Sequence, residues 1–433
     1  MSTDPRGGLL RRHRDFRLLW CGETTGKFGG AVTGVAMPLV AVSTLHAGTL
    51  EVSLLSAAAW LPWLLIGLPV GAWVDRMRRR PIMLIADAVS LLVFAAVPVA
   101  AWCGALSITG LIGASLLAGT AAVFFQTAYS AYLPGLLAPQ DRPEGNAKLH
   151  GSASAAQIAG LGAGGLLAQA AGAVNAMYGN AATFLVSVLC LLGIRHREPR
   201  VPAAERPRKA LVQEVGAGLR LVAGDPWIRT MTLFGAVSNL WLTGYQSIQV
   251  VFLVREVGLA SGAVGGLIAA TSVGGVVGAL VARRVAARAG TARALLAFEL
   301  GVPVLALLIP LTTGGAGLVC YVVGGLSVSG GVVAGNVIKS SFQQSYCPPA
   351  LLGRVAASSA FLNYGTIPLG AVLAGVLGTT LGIRPAMWIT TAGVPLAALI
   401  LYFSPIRRCR DLPSSPPEKA RTTEPQPTAG ASA

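Results

Sequence analysis

The chain has 433 residues, of which 54% are hydrophobic and 12% charged, with a mean hydropathy of +0.66. That apolar share exceeds the ~45–50% usual in soluble domains, which excludes a soluble globular protein, and continuous apolar runs in place of ~10-residue alternating strands exclude a membrane β-barrel. The net charge of +16 is gathered at Arg6 to Arg17, Arg76 to Arg80, Arg195 to Arg220, Arg283 to Arg293 and Arg407 to Arg421, clusters parted by hydrophobic stretches, so it marks one face of a membrane and not a nucleic-acid surface.

Residues 1–14 form a basic tail. Apolar segments of about 20 residues, enough to span a bilayer, follow at roughly 16–43, 51–74, 82–104, 108–133, 150–172 and 174–194, and again at 229–253, 261–282, 292–312, 314–340, 355–379 and 384–404. The expected architecture is an all-α membrane protein with twelve transmembrane helices in two six-helix bundles, over 15–194 and 229–404. An even number of spans puts both termini on one side, and the arginine clusters make that side the cytoplasm. Only Arg255, Arg384, Lys27 and Lys339 fall elsewhere among the basic residues. The first segment has full spanning length and no A-x-A cleavage site, so it is expected to stay as an anchor.

In the first segment Glu23 and Lys27 stand four apart on one face, a spacing that favours pairing, and Lys27 reaches about 15 Å deep at ~1.5 Å per residue. Ionisable groups in hydrocarbon are functional candidates by default. Two readings stay open here: Glu23 exchanges a proton as substrate arrives, or the pair is a permanent ion pair that orients the helix. After the second segment runs Gly71-Ala72-Trp73-Val74-Asp75-Arg76-Met77-Arg78-Arg79-Arg80, a charged hinge. Asp87, near the start of the third segment, is expected to pair with arginines of that hinge. Gln126 lies in the fourth, and small residues at Gly160, Gly164 and Gly165 in the fifth permit close helix approach.

Prolines 199, 202 and 207 interrupt the linker 195–228, after which Leu211, Val212, Val215, Leu219 and Val222 predict a short amphipathic helix. Asn239, Tyr245 and Gln246 belong to the seventh segment. The hinge then returns in weaker form as Gly278-Ala279-Leu280-Val281-Ala282-Arg283, which supports two related halves. Glu299 has no partner that the sequence can name, and Lys339 is expected to snorkel toward the headgroups. From residue 405 to 433 a composition of Pro, Ser, Thr, Glu and Ala predicts a disordered cytoplasmic tail. Six scattered cysteines and four isolated histidines have no metal-ligand or redox spacing, and no phosphate loop is present, so neither metal, cofactor nor catalysis is expected.

Gly71, Asp75, Arg76, Arg79 and Arg80 match the signature Gly-x-x-x-Asp-Arg-x-Gly-Arg-Arg/Lys, with Arg78 in place of its glycine. On these residues the chain resembles the major facilitator superfamily across about 15–404. Gly160-Leu161-Gly162-Ala163-Gly164-Gly165 resembles the antiporter signature Gly-Pro-x-x-Gly-Gly, with Leu161 in place of proline. Phe16 to Trp20, Tyr132-Leu133-Pro134, Leu352-Gly353-Arg354-Val355 and Gly365 to Gly370 look like the drug- and siderophore-exporting branch, of macrolide-efflux and enterobactin-export type.

The resemblance implies a secondary transporter of the bacterial cytoplasmic membrane, monomeric, exporting a small amphipathic molecule by alternating access in exchange for protons. An importer, or a membrane receptor or enzyme, is the alternative. It further implies a cytoplasmic gate of Gly71, Asp75, Arg76, Arg79, Asp87 and Arg354, in which Asp75 faces the start of the eleventh helix and pairs with Arg79. Glu23, Lys27 and Glu299 become proton-coupling candidates, and Gln126, Asn239, Tyr245 and Gln246 substrate-cavity candidates. The fourth-helix arginine of many proton-coupled exporters is missing from Leu111 to Gln126.

Overall fold

The computed structural model describes residues 8–74, 76–196, 198, 220 and 222–415. With no water in hydrocarbon to satisfy backbone groups, a chain this apolar resolves into helices, and no strand occurs among the described residues. In chain order come α1 (Arg14–Thr44), α2 (Thr49–Val74), α3 (Arg79–Trp102), α4 (Ile108–Leu136), α5 (Arg142–Ala171) and α6 (Ala173–Gly193). A second set follows: α7 (Pro226–Val251), α8 (Ser261–Ala289), α9 (Thr291–Leu311), α10 (Leu318–Tyr346), α11 (Pro349–Thr380) and α12 (Ile383–Tyr402). Ten of these are long and apolar enough to cross a membrane by length and composition. The other two, α5 and α7, are diluted by polar residues such as Arg142, Glu144 and Gln157 in one and Arg229, Asn239 and Gln246 in the other. Most of the linker that carries the expected amphipathic helix, residues 199–219, lies outside the described residues.

Helix ends are held by local chemistry. Ser107 accepts from the Gly110 amide before α4, and Asp225 accepts from Trp227 and Ile228 at the start of α7. Gly172, at φ 85°, turns α5 straight into α6 through a left-handed conformation that suits glycine alone. The first helix of each set ends in the same way. Leu45 and Ala47 amides donate to the Val40 and Ala41 carbonyls, and Val257 and Leu259 amides to those of Phe252 and Leu253. These widened turns repeat at the same six-plus-six period as the hinge sequence.

Within the first set α1 packs on α5 and α6, and α3 on α4 and α6. Within the second, α7 packs on α11 and α12, and α8 on α10. Between sets, α2 meets α11 and α5 meets α8. One buried apolar cluster spans both sets where α1 and α7 finish, with Val35, Leu39, Phe94, Ile248, Val251 and Met387 among its members. At the opposite end, which carries both ends of the described chain, each cluster belongs to one set: Phe16, Met83 and Tyr132 in the first, Phe234, Leu295 and Leu401 in the second. Among the described residues, the buried apolar clusters thus join the two sets at one end and belong to one set each at the other.

Residues 405–412, expected to be disordered, are instead packed on the second set. Ile406 is fully buried, the Asp411 carboxylate accepts from the Thr291 amide at 2.9 Å, and Leu412 donates to Thr291 Oγ1 at 2.8 Å. This strand of chain caps the start of α9, whose first amides have no partner within the helix. Residues 416–433 lie outside the described residues.

Before α1, the single turn Leu9–Arg12 is bound to the first turn of α5. Leu9 donates its amide to Glu144 Oε1 at 2.9 Å, and Arg12 lies 3.5 Å from Glu144 and 3.6 Å from Asp141. Glu144 stands ahead of the apolar stretch of α5. The Leu9 amide, joined by Lys148 and Arg12, holds its carboxyl below the ordinary carboxylate range. A carboxyl lowered in this way stabilises the fold above its unfolded value and loses that contribution as pH falls through the folded one. A spin label at Leu10 is expected to gain mobility on acidification through that range, and already at neutral pH in Glu144→Gln. Unchanged mobility in the variant would show that other contacts hold the turn.

Candidate functional site

Two cavities, one in each set, share Tyr364 in their linings. The first, about 700 Å³, is walled by the first set and closed by Tyr364 of α11. Glu23 and Lys27 both line it, one turn apart on α1, and form the expected ion pair at 3.3 Å. Lys27 also donates to Gln126 Oε1 of α4 at 3.4 Å, so three sequence candidates meet here. Glu23 is 7% exposed, which makes its single ammonium partner decisive for keeping a charge there.

Asp87 also lines this cavity, contrary to its expected place beside the hinge arginines. Its Oδ2 accepts the Ser187 hydroxyl of α6 at 2.5 Å, and no ion pair to it occurs among the described residues. The reason is helical phase: position 87 lies two turns into α3, on the face that meets α6, whereas the arginines precede or open the helix. Thr33, Ser90, Ser115, Gln157 of α5, Ser187 and Tyr364 add to the polar lining, and none of them carries a sequence signal stronger than being polar in an apolar helix. Trp60 and Trp63 of α2 stand with ring centroids 5.8 Å and 5.5 Å from that of Tyr364, an aromatic contact across the two sets.

The second cavity, about 410 Å³, is walled by the second set and shares Tyr364. Glu299 of α9 is 3% exposed and pairs with Lys339 of α10 at 2.9 Å, which supplies the partner that the sequence could not name and corrects the snorkelling expectation for Lys339. Lys339 also sits 4.6 Å above the Phe234 ring. Asn239 lines this cavity and donates to the Asn363 carbonyl at 3.3 Å. The other two candidates of α7 do not reach it. Tyr245 is buried in the apolar cluster that joins the sets, and Gln246 is exposed and lines neither cavity. Asn239 and Gln246 are seven apart, so they share a helix face; the cavity simply ends before Gln246, near Leu242.

The glycine motif divides its work between the sets. A Cβ on Gly160 or Gly164 would collide with the backbone of α1 at Phe28 or Val32, whereas one on Gly165 would lie 2.6 Å from Gly265 Cα and Ser261 O of α8. Gly165 thus sits at a backbone-to-backbone contact between the two sets. Nearby, Arg255 of the second set donates to the Ala47 carbonyl of the first at 2.6 Å.

Of the gate residues, Asp75 lies outside the described residues, as does the Arg354 side chain, whose backbone opens α11. Gly71 is half-buried, with nothing within 4 Å of an added Cβ, and Arg76 is exposed. Arg79 and Arg80 give their amides to Glu198 Oε2 at 2.7 Å and 3.4 Å, so a carboxylate from the linker caps α3. Arg80 further donates to the Leu191 and Leu192 carbonyls at 3.0 Å and 2.9 Å, which ties the hinge to the end of α6. Sequence reasoning passed over Glu198, although it is the one acid in the Arg195 to Arg200 run.

The profile of a family described as transmembrane secretion effector matches residues 10–427. The chain is 29% identical over 429 residues to the multidrug efflux pump Tap of Mycolicibacterium fortuitum, covering 96% of this chain and 100% of that protein. It is 26% identical over 421 residues to the enterobactin exporter EntS of Shigella boydii serotype 18, covering 94% of this chain and 95% of that one. A solved bacterial homologue of the iron transporter ferroportin, in its inward-facing state, is similar in fold with a TM-score of 0.71 at 16% identity, covering 92% of this chain and 99% of that one.

Proposed function

The chain belongs to the transmembrane secretion effectors of the major facilitator superfamily, multi-pass membrane transporters and not enzymes, and on that premise we propose that it exports a small amphipathic molecule across the bacterial cytoplasmic membrane by alternating access, in exchange for protons. The observation that carries this reading is the pair of ion-paired cavities, one in each helix set and meeting at Tyr364, beneath an apolar cluster shared by both sets. Two similar sets rocking about such a centre would expose it to each side in turn. All twelve long helices then span the membrane. Of the polar residues that lower the hydropathy of α5 and α7, Gln157 and Asn239 line the cavities.

The arginine clusters assign the separated end to the cytoplasm. The joined end, with Gly165 on Gly265 and Arg255 on Ala47, is then the outer gate. The arrangement is then inward-facing, with the cytoplasmic end the open one. An efflux reading draws on the relatives named as a multidrug efflux pump and an enterobactin exporter. Glu23 carries the proton in this scheme. Lys27 holds its charge when no substrate is bound, and Glu299 with Lys339 forms a matching pair in the other set.

The test has two arms. Cells expressing the protein should accumulate less of at least one compound in a panel of antibiotics, dyes and siderophores than cells without it. In vesicles under an imposed pH gradient, Glu23→Gln should slow transport of that compound to near the gradient-free rate. Transport at the normal rate in the variant would make the Glu23 and Lys27 pair structural. Raised accumulation in the expressing cells would reverse the direction to import.

A further inference from the structure

One ammonium faces two carboxylates in the larger cavity. Lys27 is engaged with Glu23 and Gln126, and the residues that α2, α4, α5, α6 and α11 bring to the lining carry no charge. Asp87 is left over. It is 4% exposed, its Oδ2 is taken by the Ser187 hydroxyl, and no donor to Oδ1 is found among the described residues. A buried carboxylate without a counter-charge costs several kcal/mol, so this position is complete only when a positive centre, a proton or a cation, joins it.

What lies next to Asp87 defines the cation. Phe94 stands seven residues further along α3 and Phe184 three residues before Ser187 on α6, and their rings stack with centroids 5.6 Å apart at 17°. The same two helices therefore present a carboxylate with a hydroxyl and, about 10 Å further along at ~1.5 Å per residue, a flat aromatic pair. Trp60 and Trp63 line the same cavity. Charge at one end and ring surface at the other match a ligand with a positive centre attached to an aromatic body.

We propose that Asp87 is the specificity-determining counter-ion for a lipophilic cation, an aromatic-bearing amine or onium ion, whose positive centre sits at Asp87 and Ser187 and whose rings lie against Phe94 and Phe184. The inference rests on reading this cavity as the substrate seat of an exporter. It selects cationic over neutral or anionic cargo of the same size.

Binding to the detergent-solubilised full chain tests it, with equilibrium dialysis of two probes of similar size: tetraphenylphosphonium, a permanent cation, and triphenylphosphine oxide, which is neutral. The wild type should prefer the phosphonium by about tenfold or more, and Asp87→Asn should remove that preference while oxide binding stays within about twofold. Lys27→Gln, which frees a second carboxylate, should tighten phosphonium binding. Phosphonium affinity unchanged in Asp87→Asn, with the oxide still bound, overturns the inference and leaves export standing. If neither probe binds the wild type, the inference is overturned, and the accumulation assay decides export separately. If Asp87→Asn loses both probes through misfolding, Lys27→Gln decides: tighter phosphonium binding supports the inference, and unchanged or weaker binding overturns it.

Discussion

Lys339→Met is expected to destabilise the protein by about 3–5 kcal/mol, the range for removing one partner of a buried ion pair. Glu299 is 3% exposed, and Lys339 at 2.9 Å is its only ion-pair partner among the described residues. The space for its carboxylate exists because Gly335, one turn before Lys339 on α10, has no side chain; a Cβ there would overlap Glu299. Methionine keeps the length of lysine but removes the charge, and with it the contact over Phe234. Thermal unfolding in detergent reads the loss. The decisive comparison is the double variant Lys339→Met with Glu299→Gln, which removes the stranded charge and should recover most of the stability. Equal loss in the single and double variants would mean that Glu299 is neutral without Lys339, and that the pair is not held by charge.

Gly165→Val is expected to abolish transport. The new side chain would begin 2.6 Å from Gly265 Cα and Ser261 O, so the joined end could not close as it does here. Overpacking of this kind costs about 1–3 kcal/mol, and a bias of that size shifts a two-state equilibrium about 5–150-fold. The variant should stay folded but rest with this end open, and a cysteine placed at Ala260 should react faster with a charged maleimide than in the wild type. Gly162→Ala is the control, since its added Cβ would meet Ala269 at 3.5 Å, an ordinary contact. Transport at the normal rate in Gly165→Val would show that α5 and α8 need not approach this closely during the cycle.

Legibility varied with how local each feature is. Glu23 and Lys27 are four apart on one helix, and a spacing of four is a statement about geometry before any fold is known. The small residues of α5 likewise declared a close approach, although only the fold showed that Gly160 and Gly164 serve α1 while Gly165 serves the other set. Asp87 was misassigned because its nearest charges in sequence are the hinge arginines, whereas its partner Ser187 is a hundred residues away. Tyr245 and Gln246 share α7 with Asn239, but the rotation and depth of that helix turn one into the apolar cluster and leave the other outside the cavities. In the tail, composition described residues 405–433 as a whole and missed that Ile406 and Asp411 find partners at the start of α9.

By itself the sequence determined the solvent and the class of fold, because apolar runs of spanning length in a chain with 12% charge leave only helices in a membrane. It also determined the family, through the spacing of Gly71, Asp75, Arg76, Arg79 and Arg80. The tertiary structure alone decided which carboxylate meets which lysine, that Asp87 enters the cavity with no ion-pair partner among the described residues, and that Tyr364 lines both cavities. Periodicity states which residues share a face of one helix. Which faces meet depends on the rotation and contact of helices far apart in the chain, and the close approach at Gly165, Gly265 and Gly335 is where the packing sets it.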